Sequence, residues 1–196
     1  MARWSFVRHA ESVANQEGWL AGRRDVPLSA VGEEQARELA RRLAPRVFTR
    51  IYTSPLSRAR ATAAAIARGR RLELVEVDAL IERDVGTLEG HSRAALRSSG
   101  QMEVLLDWHR QPPGGESQDE VARRVLTWLW RAEARVSVEE HVLVVAHGGV
   151  LRCAVGLLDG RADQEIGRWA IANAELLDRE IEPGRWGGLV EGRGWR

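Results

Sequence analysis

The sequence predicts an α/β fold of three layers, α/β/α, in which helices cover both faces of a mostly parallel central sheet. Three observations predict it. Short apolar segments with strand character alternate with amphipathic segments of helical spacing along most of the chain. Residues 141–146, HVLVVA, form a continuous apolar run, typical of a strand buried on both faces. A length of 196 residues with 44% hydrophobic residues fits one domain with a sizeable core, so we expect a single domain over residues 1–196.

The N-terminal half alternates predicted strands with predicted helices. Residues 3–7 are short, aromatic and apolar and predict a strand, which a glycine-containing loop follows. Ser29 stands where a helix N-cap belongs, and the residues after it keep a helical apolar spacing until Pro45. The other segments predicted in this half are a strand over residues 47–53, an alanine-rich helix over 54–69 and a strand over 72–77.

The C-terminal half begins with a stretch of weak pattern. Between residues 78 and 115, glycines and a Pro-Pro-Gly-Gly run interrupt short helical fragments. Ser117 and Glu120 then form a capping box that opens a helix with apolar residues as far as Trp130. The remaining predictions are a strand over residues 141–146, a helix through Leu158, and a short helix and a strand around 170–177. The glycine-rich tail, residues 182–196, receives no assignment.

The charged residues exclude several classes of function. The formal net charge is +1 and neither sign forms a long block, so the overall field does not recruit nucleic acid or a membrane. All 29 basic residues are arginine, which excludes Schiff-base lysines and the lysine of a P-loop. Acidic residues flank the arginine-rich segments 68–71 and 193–196. We interpret these segments as a solvated helix end and a frayed terminus, and we expect no nucleic-acid partner.

Other residue types narrow the possibilities further. Cys153 is the only cysteine, which excludes an intrachain disulfide and a multi-cysteine zinc site, and its apolar neighbours favour a buried structural role. His91, His109 and His141 show no metal-ligand spacing, so we expect no metal and no organic cofactor. No apolar run approaches the roughly 20 residues that a membrane span needs. The N-terminus also lacks the pattern of a secretory signal, so we expect a cytoplasmic protein without a membrane partner.

Polar clusters directly follow three of the predicted strands. They are Arg8 with His9, residues 54–58, and His147 with Gly148. In a parallel sheet the carboxyl ends of the strands meet at one edge, where ligands bind, so we expect these residues to lie together. A phosphoryl group needs positive charge and hydrogen-bond donors around its oxygens and a nucleophile in line with the scissile bond. Guanidinium groups and imidazoles supply both, and the clusters therefore indicate a phosphoryl-transfer site.

Five segments of the chain, in the same order, resemble motifs of the histidine phosphatase superfamily, the phosphoglycerate mutase-like proteins. They are VRHAESVAN, GRRDVPLSAVGEEQA, TSPLSRARATA, LIERDVGTLEG and VVAHGG, and together they span about residues 4–151. The resemblance implies the phosphoglycerate mutase-like form of the α/β/α fold.

The resemblance also implies roles for single residues. His9 would be the nucleophile that becomes a phosphohistidine. Glu82 would protonate the leaving oxygen and then activate water. The positive pocket around the phosphoryl group would consist of Arg8, Arg58 and His147. Phosphate or substrate would also be bound by Asn15, Gly22 and Gly148.

The weakly patterned segment is the expected substrate cap, over about residues 90–115. It is short compared with the insertion of the cofactor-dependent mutases of this family, and a short cap admits water. We therefore expect hydrolysis of a small phosphorylated metabolite by a phosphatase of the histidine acid type. The candidate substrate contacts in the cap are Arg93, Arg97, His109 and Arg110.

Three alternatives remain open. Two are enzymes, a phosphoglycerate mutase and a dedicated alpha-ribazole phosphatase, and the third is a non-catalytic, protein-binding member of the superfamily. A homodimer is also a candidate, because Trp128 and Trp130 lie two residues apart on a predicted helix and cannot share one face.

Overall fold

The computed structural model describes residues 1–195, which contain a five-stranded sheet. The strands are β1 (Ala2–Arg8), β2 (Arg50–Thr53), β3 (Leu74–Glu76), β4 (His141–Ala146) and β5 (Leu176–Ile181). Their order in the sheet is β3-β2-β4-β1-β5. The first four strands in this order pair in parallel, and β5 pairs antiparallel with β1. The predicted mostly parallel central sheet is therefore confirmed.

Helices connect the strands. They are α1 (Val13–Glu17), α2 (Ala30–Leu43), α3 (Ser57–Ala67), α4 (Arg93–Ser98), α5 (Glu103–Leu106), α6 (Gln118–Glu133), α7 (Gly148–Leu158), α8 (Asp163–Arg168) and α9 (Arg185–Gly192). Two 3-10 turns, Asp78–Leu80 and Gly86–Leu88, lie between β3 and α4. Over residues 1–195, none of the helices has both the length and the apolar character to cross a membrane.

The helices form two layers, one on each face of the sheet. On one face, Val7, Ile51 and Leu143 pack against α2 and α3. On the other face, Trp4 and Phe6 pack in a second core against α6, α7 and α9. The three strands β1, β2 and β4 alternate their side chains between the two cores, which explains why β4 is buried along its whole length. The three-layer α/β/α architecture is thus confirmed.

Helix start signals in the sequence correspond to helix starts in the structure. The Ser29 side chain accepts a hydrogen bond from the Gly32 amide and caps α2. Ser117 and Glu120 form the expected reciprocal capping box at the start of α6. Both predictions are confirmed, because capping depends on residues only three positions apart in the chain.

Some predicted boundaries are wrong. The short helix and the strand expected around residues 170–177 are α8, which ends at Arg168, and β5, which covers 176–181, and the strand predicted over 47–53 begins at Arg50. The loop after β1 contains the short helix α1. The tail, which received no assignment, forms α9, whose Trp186 side chain is completely buried.

The arginine-rich segments also differ from their interpretation as solvated ends. Arg70 donates hydrogen bonds to the carbonyl oxygens of Ile66, Arg46 and Leu43, so it ties α3 to the end of α2. Arg193 forms an ion pair with Asp163 at 2.7 Å and is half-buried, so the described part of this segment is not frayed. Arg196 lies outside the described residues. These arginines are therefore engaged within the fold.

The two tryptophans singled out on α6 both contact other parts of the fold. Trp128 packs edge-on against Tyr52, with 5.1 Å between the ring centroids. Trp130 lies against Gly187 of α9 and is 37% exposed. A dimer contact at one of these two tryptophans stays a prediction.

Candidate active site

The topology brings the three polar clusters together. Strands β1, β2 and β4 are parallel neighbours, and each ends directly before one cluster. The imidazole rings of His9 and His147, which follow β1 and β4, are 5.0 Å apart between centroids at an angle of 61°. Residues separated by 138 positions therefore share one site at the carboxyl edge of the sheet.

His9 is held as a neutral imidazole with one free nitrogen. Its ring is buried, and Nδ1 lies 2.7 Å from the carbonyl oxygen of Ala10. Because a carbonyl oxygen only accepts, Nδ1 carries the proton and Nε2 keeps its lone pair. Burial, reinforced by His147, Arg8 and Arg58, holds the pKa of His9 well below its usual 6.5. His9 is thus prepared to act as a nucleophile through Nε2.

His147 is also fully buried, but its partners differ. Its Nε2 lies 2.7 Å from the hydroxyl of Ser54, and its Nδ1 has no hydrogen-bond partner. Burial, together with the charges of Arg58 and Arg8, holds the pKa of His147 well below its usual 6.5. The unsatisfied nitrogen can contact a ligand beside His9.

Arg58 is fixed by the loop after α1. Its side chain is 2% exposed and donates to the carbonyl oxygens of Arg24 and Gly22, each at 2.9 Å. Gly22 has φ of +51°, and a Cβ there would lie 2.7 Å from Val85, so a glycine is required at this position. Gly22 therefore positions Arg58 through its carbonyl group and also lines the cavity described below.

Arg8 points from the end of β1 towards the chain segment before β5. One of its terminal nitrogens donates to the carbonyl oxygen of Ile171, whereas its Nε is buried without a partner. Burial lowers the pKa of Arg8 to about 10, so the group stays cationic at neutral pH. Its free N–H group is available to an anionic oxygen.

Asn15 is oriented by two neighbours. Its side-chain oxygen accepts from the Ser12 amide at the start of α1 and from the side-chain amide of Asn173 at 3.2 Å. Asn173 also donates to the carbonyl oxygen of His9 at 3.1 Å. Since the oxygen of Asn15 is engaged, its amino group remains as the donor. Asn173 was not predicted as a site residue, because it belongs to a segment expected to hold a short helix and a strand.

Glu82 lies in the chain between the two 3-10 turns, and its side chain contacts the start of α7. Its carboxylate accepts hydrogen bonds from the amides of Arg83 at 2.8 Å and Gly149 at 3.3 Å. Burial raises the pKa of Glu82, but the Arg83 amide, the charges of Arg58 and Arg152 and the Gly149 amide outweigh it, and the net pKa lies below the usual 4.5. Glu82 is therefore ionised at neutral pH in the free protein.

A cavity of about 540 Å³ opens at this edge of the sheet. Of the candidate site residues, it is lined by Arg8, Gly22, Glu82 and Gly148. His9, Arg58 and His147 are buried and are not among the lining residues, and neither is Asn15. Gly148, the first residue of α7, contributes the amide end of a helix.

The segment 90–115 covers part of the cavity. From this segment the cavity is lined by Arg93 and Arg97 of α4, by Met102 directly before α5 and by Leu105 of α5. His109 and Arg110, also expected to contact substrate, do not line it and are exposed. Their backbone amides donate hydrogen bonds to the Asp107 carboxylate, which forms a turn after α5.

Arg152 is a cavity residue that the sequence analysis missed. It lies four residues after Gly148 on α7, so both face the same side of this helix. The four-residue spacing from Gly148 was the sequence signal that could have identified Arg152.

Within residues 1–195, no three histidine, cysteine or acidic side chains are grouped to hold a metal ion. Cys153 is buried, which raises its pKa to about 12 and makes it a poor nucleophile.

Comparison with known proteins agrees with this geometry. The family model of the histidine phosphatase superfamily (branch 1) matches residues 4–190. A putative phosphoserine phosphatase 2 of Hydrogenobacter thermophilus is 34% identical, with 93% of this chain and 91% of that protein covered. A 2,3-bisphosphoglycerate-dependent phosphoglycerate mutase of Parvibaculum lavamentivorans is 35% identical, covering 90% and 89%. The alpha-ribazole phosphatase structure from Shigella flexneri superimposes with a TM-score of 0.80 at 27% identity, covering 92% of this chain and 91% of that one.

Proposed function

The chain belongs to the histidine phosphatase superfamily, branch 1, and from this premise we propose that it hydrolyses a small phosphomonoester through a phosphohistidine on His9. The observation that carries the proposal is the state of His9. A neutral, buried imidazole whose Nδ1 donates to Ala10 presents the lone pair of Nε2. The hydrogen-bond donors expected to bind the phosphoryl oxygens, some cationic and some neutral, belong to the same site as that lone pair.

In the first step, Nε2 of His9 attacks phosphorus and the bond to the ester oxygen breaks. The departing oxygen takes a proton from Glu82, which leaves a carboxylate and an alcohol. Arg8, Arg58 and His147 bind the phosphoryl oxygens as negative charge redistributes in the transition state. Asn15 and the Gly148 amide supply further hydrogen bonds.

In the second step, the Glu82 carboxylate removes a proton from water. The resulting hydroxide forms a bond to phosphorus, the bond from phosphorus to Nε2 breaks, and inorganic phosphate leaves. The position of Glu82 beside the first turn of α7 supports this double role, because the carboxylate adjoins the helix end that would hold phosphate.

We further propose that residues 1–196 act as one catalytic domain with residues 90–115 as a substrate cap. The support for the cap is that α4 and α5 line one side of the cavity. They are two helices of six and four residues, so they cover the site incompletely and leave access for water. This favours hydrolysis over return of the phosphoryl group to a second alcohol.

The relatives support two narrower alternatives. One similar protein is named as a phosphoglycerate mutase, and one similar structure is an alpha-ribazole phosphatase. A protein-binding member without activity is less well supported, because Arg8, Arg58, Glu82 and both histidines keep geometry suited to chemistry.

The proposal is tested by measuring phosphate release from p-nitrophenyl phosphate, alpha-ribazole phosphate and other small phosphomonoesters. We expect release, and we expect the H9A variant to lose it. In parallel, interconversion of 2- and 3-phosphoglycerate is measured. Efficient interconversion without phosphate release from any ester would contradict the phosphatase proposal and favour the mutase.

A further inference from the structure

We propose that Glu116 is a positioning residue that keeps the acid Glu82 at the leaving oxygen. It does so together with Arg23 and Arg124, and these three residues are called the acid clamp below. The proposal rests on the acid role that the proposed function gives to Glu82, and it adds the side chains that hold this acid in place.

Two arginines hold the backbone of Glu82 from outside the cavity. The carbonyl oxygen of Glu82 accepts hydrogen bonds from Nε of Arg23 and from a terminal nitrogen of Arg124, each at 3.3 Å. Arg124 also donates to the carbonyl oxygen of Ala79 at 2.7 Å, so it spans the chain that leads to the acid. Neither arginine lines the cavity. Both therefore act on the acid through its backbone and not on the substrate directly.

The Glu116 carboxylate joins these two arginines. Arg124 donates to both of its oxygens, each at 3.1 Å, and a terminal nitrogen of Arg23 lies 2.8 Å from Oε1. The amide of Asp84, two residues after the acid, donates to Oε2 at 3.1 Å. A carboxylate has about four acceptor positions, and these four contacts use them. Glu116 is therefore engaged in holding the chain and is not free for proton transfer.

The backbone around Glu116 packs directly on the chain after the acid. The Glu116 amide donates to the carbonyl oxygen of Asp84 at 2.9 Å, and the Thr87 amide donates to that of Pro113 at 2.9 Å. Gly86 has φ of +53°, and a Cβ there would overlap the Pro113 oxygen, so this contact requires a glycine. The Pro-Pro-Gly-Gly run before Glu116 thus forms the surface on which the chain after the acid lies.

Arg83 connects the acid clamp with the carboxylate of the acid. Its side chain is 4% exposed and donates to the carbonyl oxygens of Glu116 at 2.7 Å, Leu105 at 2.9 Å and Arg110 at 3.1 Å. Its amide donates to the Glu82 carboxylate at 2.8 Å. The end of the cap segment, the acid clamp and the acid thus form one hydrogen-bonded unit, and a shift at Glu116 reaches the carboxylate through this unit.

Removing the charge of Glu116 would loosen this unit. The side chains of Glu116 and Arg124 are 19% and 20% exposed, so water screens their attraction only partly. The E116Q variant keeps the shape of the side chain but replaces one oxygen by an amino group, which cannot accept from a guanidinium. The acid would shift, because both arginines that hold its carbonyl group lose their counter-charge. Arg58 and His9 bond to other groups and would keep their places.

Two aryl esters of similar shape test the position of the acid. Phenolate needs a proton to leave, whereas p-nitrophenolate leaves without one. The ratio of kcat/KM for p-nitrophenyl phosphate to kcat/KM for phenyl phosphate is called the leaving-group ratio below. Since kcat/KM reports the steps up to the phosphohistidine, the later hydrolysis of this intermediate does not affect the ratio.

The E116Q variant should raise the leaving-group ratio at least about fivefold. We expect kcat/KM to fall for phenyl phosphate and to change by less than about twofold for p-nitrophenyl phosphate, because only the first ester depends on a well-placed acid. A residue that supported only the fold or substrate binding would lower both values equally and leave the ratio unchanged.

Glu140 supplies a matched control. Its side chain is also 19% exposed and pairs with Arg50 at 3.0 Å, directly before β4 and outside the cavity. The E140Q variant should keep both kcat/KM values and the leaving-group ratio.

Arg23 supplies a second test variant. Its side chain is 36% exposed, so the fold tolerates its loss more readily than that of a buried residue. The R23Q variant should raise the leaving-group ratio as E116Q does, and it decides by the same comparison if E116Q does not fold. Arg124 is less suitable, because its charge also contributes to the low pKa of His147.

The E82Q variant separates failure of the acid clamp from failure of the proposed function. If E82Q raises the leaving-group ratio but neither E116Q nor R23Q does, the acid clamp is wrong and the acid role of Glu82 stands. Equal losses of kcat/KM for both esters in E116Q would also overturn the acid clamp. If E82Q itself leaves the ratio unchanged, or the wild type releases phosphate from neither ester, the proposed function fails instead.

Discussion

Glu82 is ionised in the free protein, whereas the proposed first step uses it as an acid. A bound phosphomonoester brings negative charge beside the carboxylate, which opposes the amide and arginine effects that lower its pKa. The proton that Glu82 donates to the leaving oxygen therefore comes from the bound substrate. Phosphate monoesters lose their second proton with a pKa of about 6, so the monoanion is the form that carries it.

A pH profile follows from this argument. Because the pKa of Glu82 lies below 4.5 in the free protein, this group is already charged across the neutral range. We predict that kcat/KM falls by about tenfold per pH unit above about pH 6, as the monoanionic substrate disappears. Initial rates at low substrate concentration between pH 5 and 9, with the stability of the protein checked at each pH, measure this. A value that rises from pH 6 to 8 would contradict it.

The acid role of Glu82 also predicts a dependence on the leaving group. The E82Q variant should lower the rate with an alkyl phosphate by about 10²-fold or more, because an alkoxide needs a proton. The same variant should lower the rate with p-nitrophenyl phosphate far less, since p-nitrophenolate leaves without a proton. If the E82Q variant lowered the rates with both substrates equally, Glu82 would act in binding only and not as an acid.

Gly149 is required because of its distance from Glu82. A Cβ at this position would lie 2.5 Å from Oε1 of the carboxylate, so the G149A variant must displace it. We predict at least a tenfold loss of kcat with alkyl phosphates in this variant, because the acid moves off the leaving oxygen. The G188A variant adds the same methyl group on α9, where nothing lies within 4 Å, and should retain activity. Full activity of G149A would contradict the assigned position of Glu82.

At the residue scale, the sequence predicted the groups that follow strands and missed those that support them. Arg8 is the last residue of β1, and His9 and His147 directly follow β1 and β4, so their placement needs only the topology of a parallel sheet. Ser54 belongs to the polar cluster 54–58 expected at this edge, but its hydrogen bond to His147, 93 positions away, was not predicted. The position of Asn173 depends on a hydrogen bond to the His9 carbonyl group, 164 positions away. No local pattern encodes such contacts.

At the element scale, the misplaced last strand has a functional explanation. The sequence predicted a short helix and a strand around residues 170–177. In the structure the first part of this segment is a loop, because the Ile171 carbonyl group binds Arg8 and Asn173 binds the His9 carbonyl group. The strand begins only at Leu176 and alternates partly buried with exposed residues, as an edge strand does.

Helix α9 illustrates a different failure. Glycines make its segment resemble a flexible tail, but its Trp186 is completely buried, 6.2 Å from the rings of both Trp4 and Phe6. The stability of this helix comes from a tertiary contact that helix propensity does not reveal. A short, glycine-rich segment with a large aromatic residue is therefore a candidate for docking against a core.

We predict that the W186A variant lowers the free energy of unfolding by about 3–5 kcal/mol, because it removes a large side chain from the core. Trp186 has an unpaired, buried indole nitrogen, so the W186F variant should be less destabilised than W186A. Denaturant unfolding measures both. The V138A variant, at a side chain that is 51% exposed, should change the free energy by less than about 0.5 kcal/mol. Equal stability of W186A and V138A would show that α9 does not contribute to the core.

At the scale of the whole molecule, the order of the strands in the sheet brings the site residues together. The strands that carry His9 and His147 become neighbours only when the chain has returned across the sheet from β2 and β3. The sequence predicted this gathering because parallel strands share one carboxyl edge. Arg8, Arg93 and Arg97 were expected to contact substrate and line the cavity, whereas Arg152 was not predicted, because the cavity arises where α4, α5 and α7 meet.

Trapping of the covalent intermediate tests the central claim most directly. The protein is mixed briefly with a phosphomonoester labelled in its phosphoryl group, quenched in alkali, digested and examined by mass spectrometry. We predict alkali-stable, acid-labile phosphate on His9 that forms before inorganic phosphate is released and is absent from the H9A variant. Release of phosphate with label on another residue, or with no labelled protein at any time, would contradict the account.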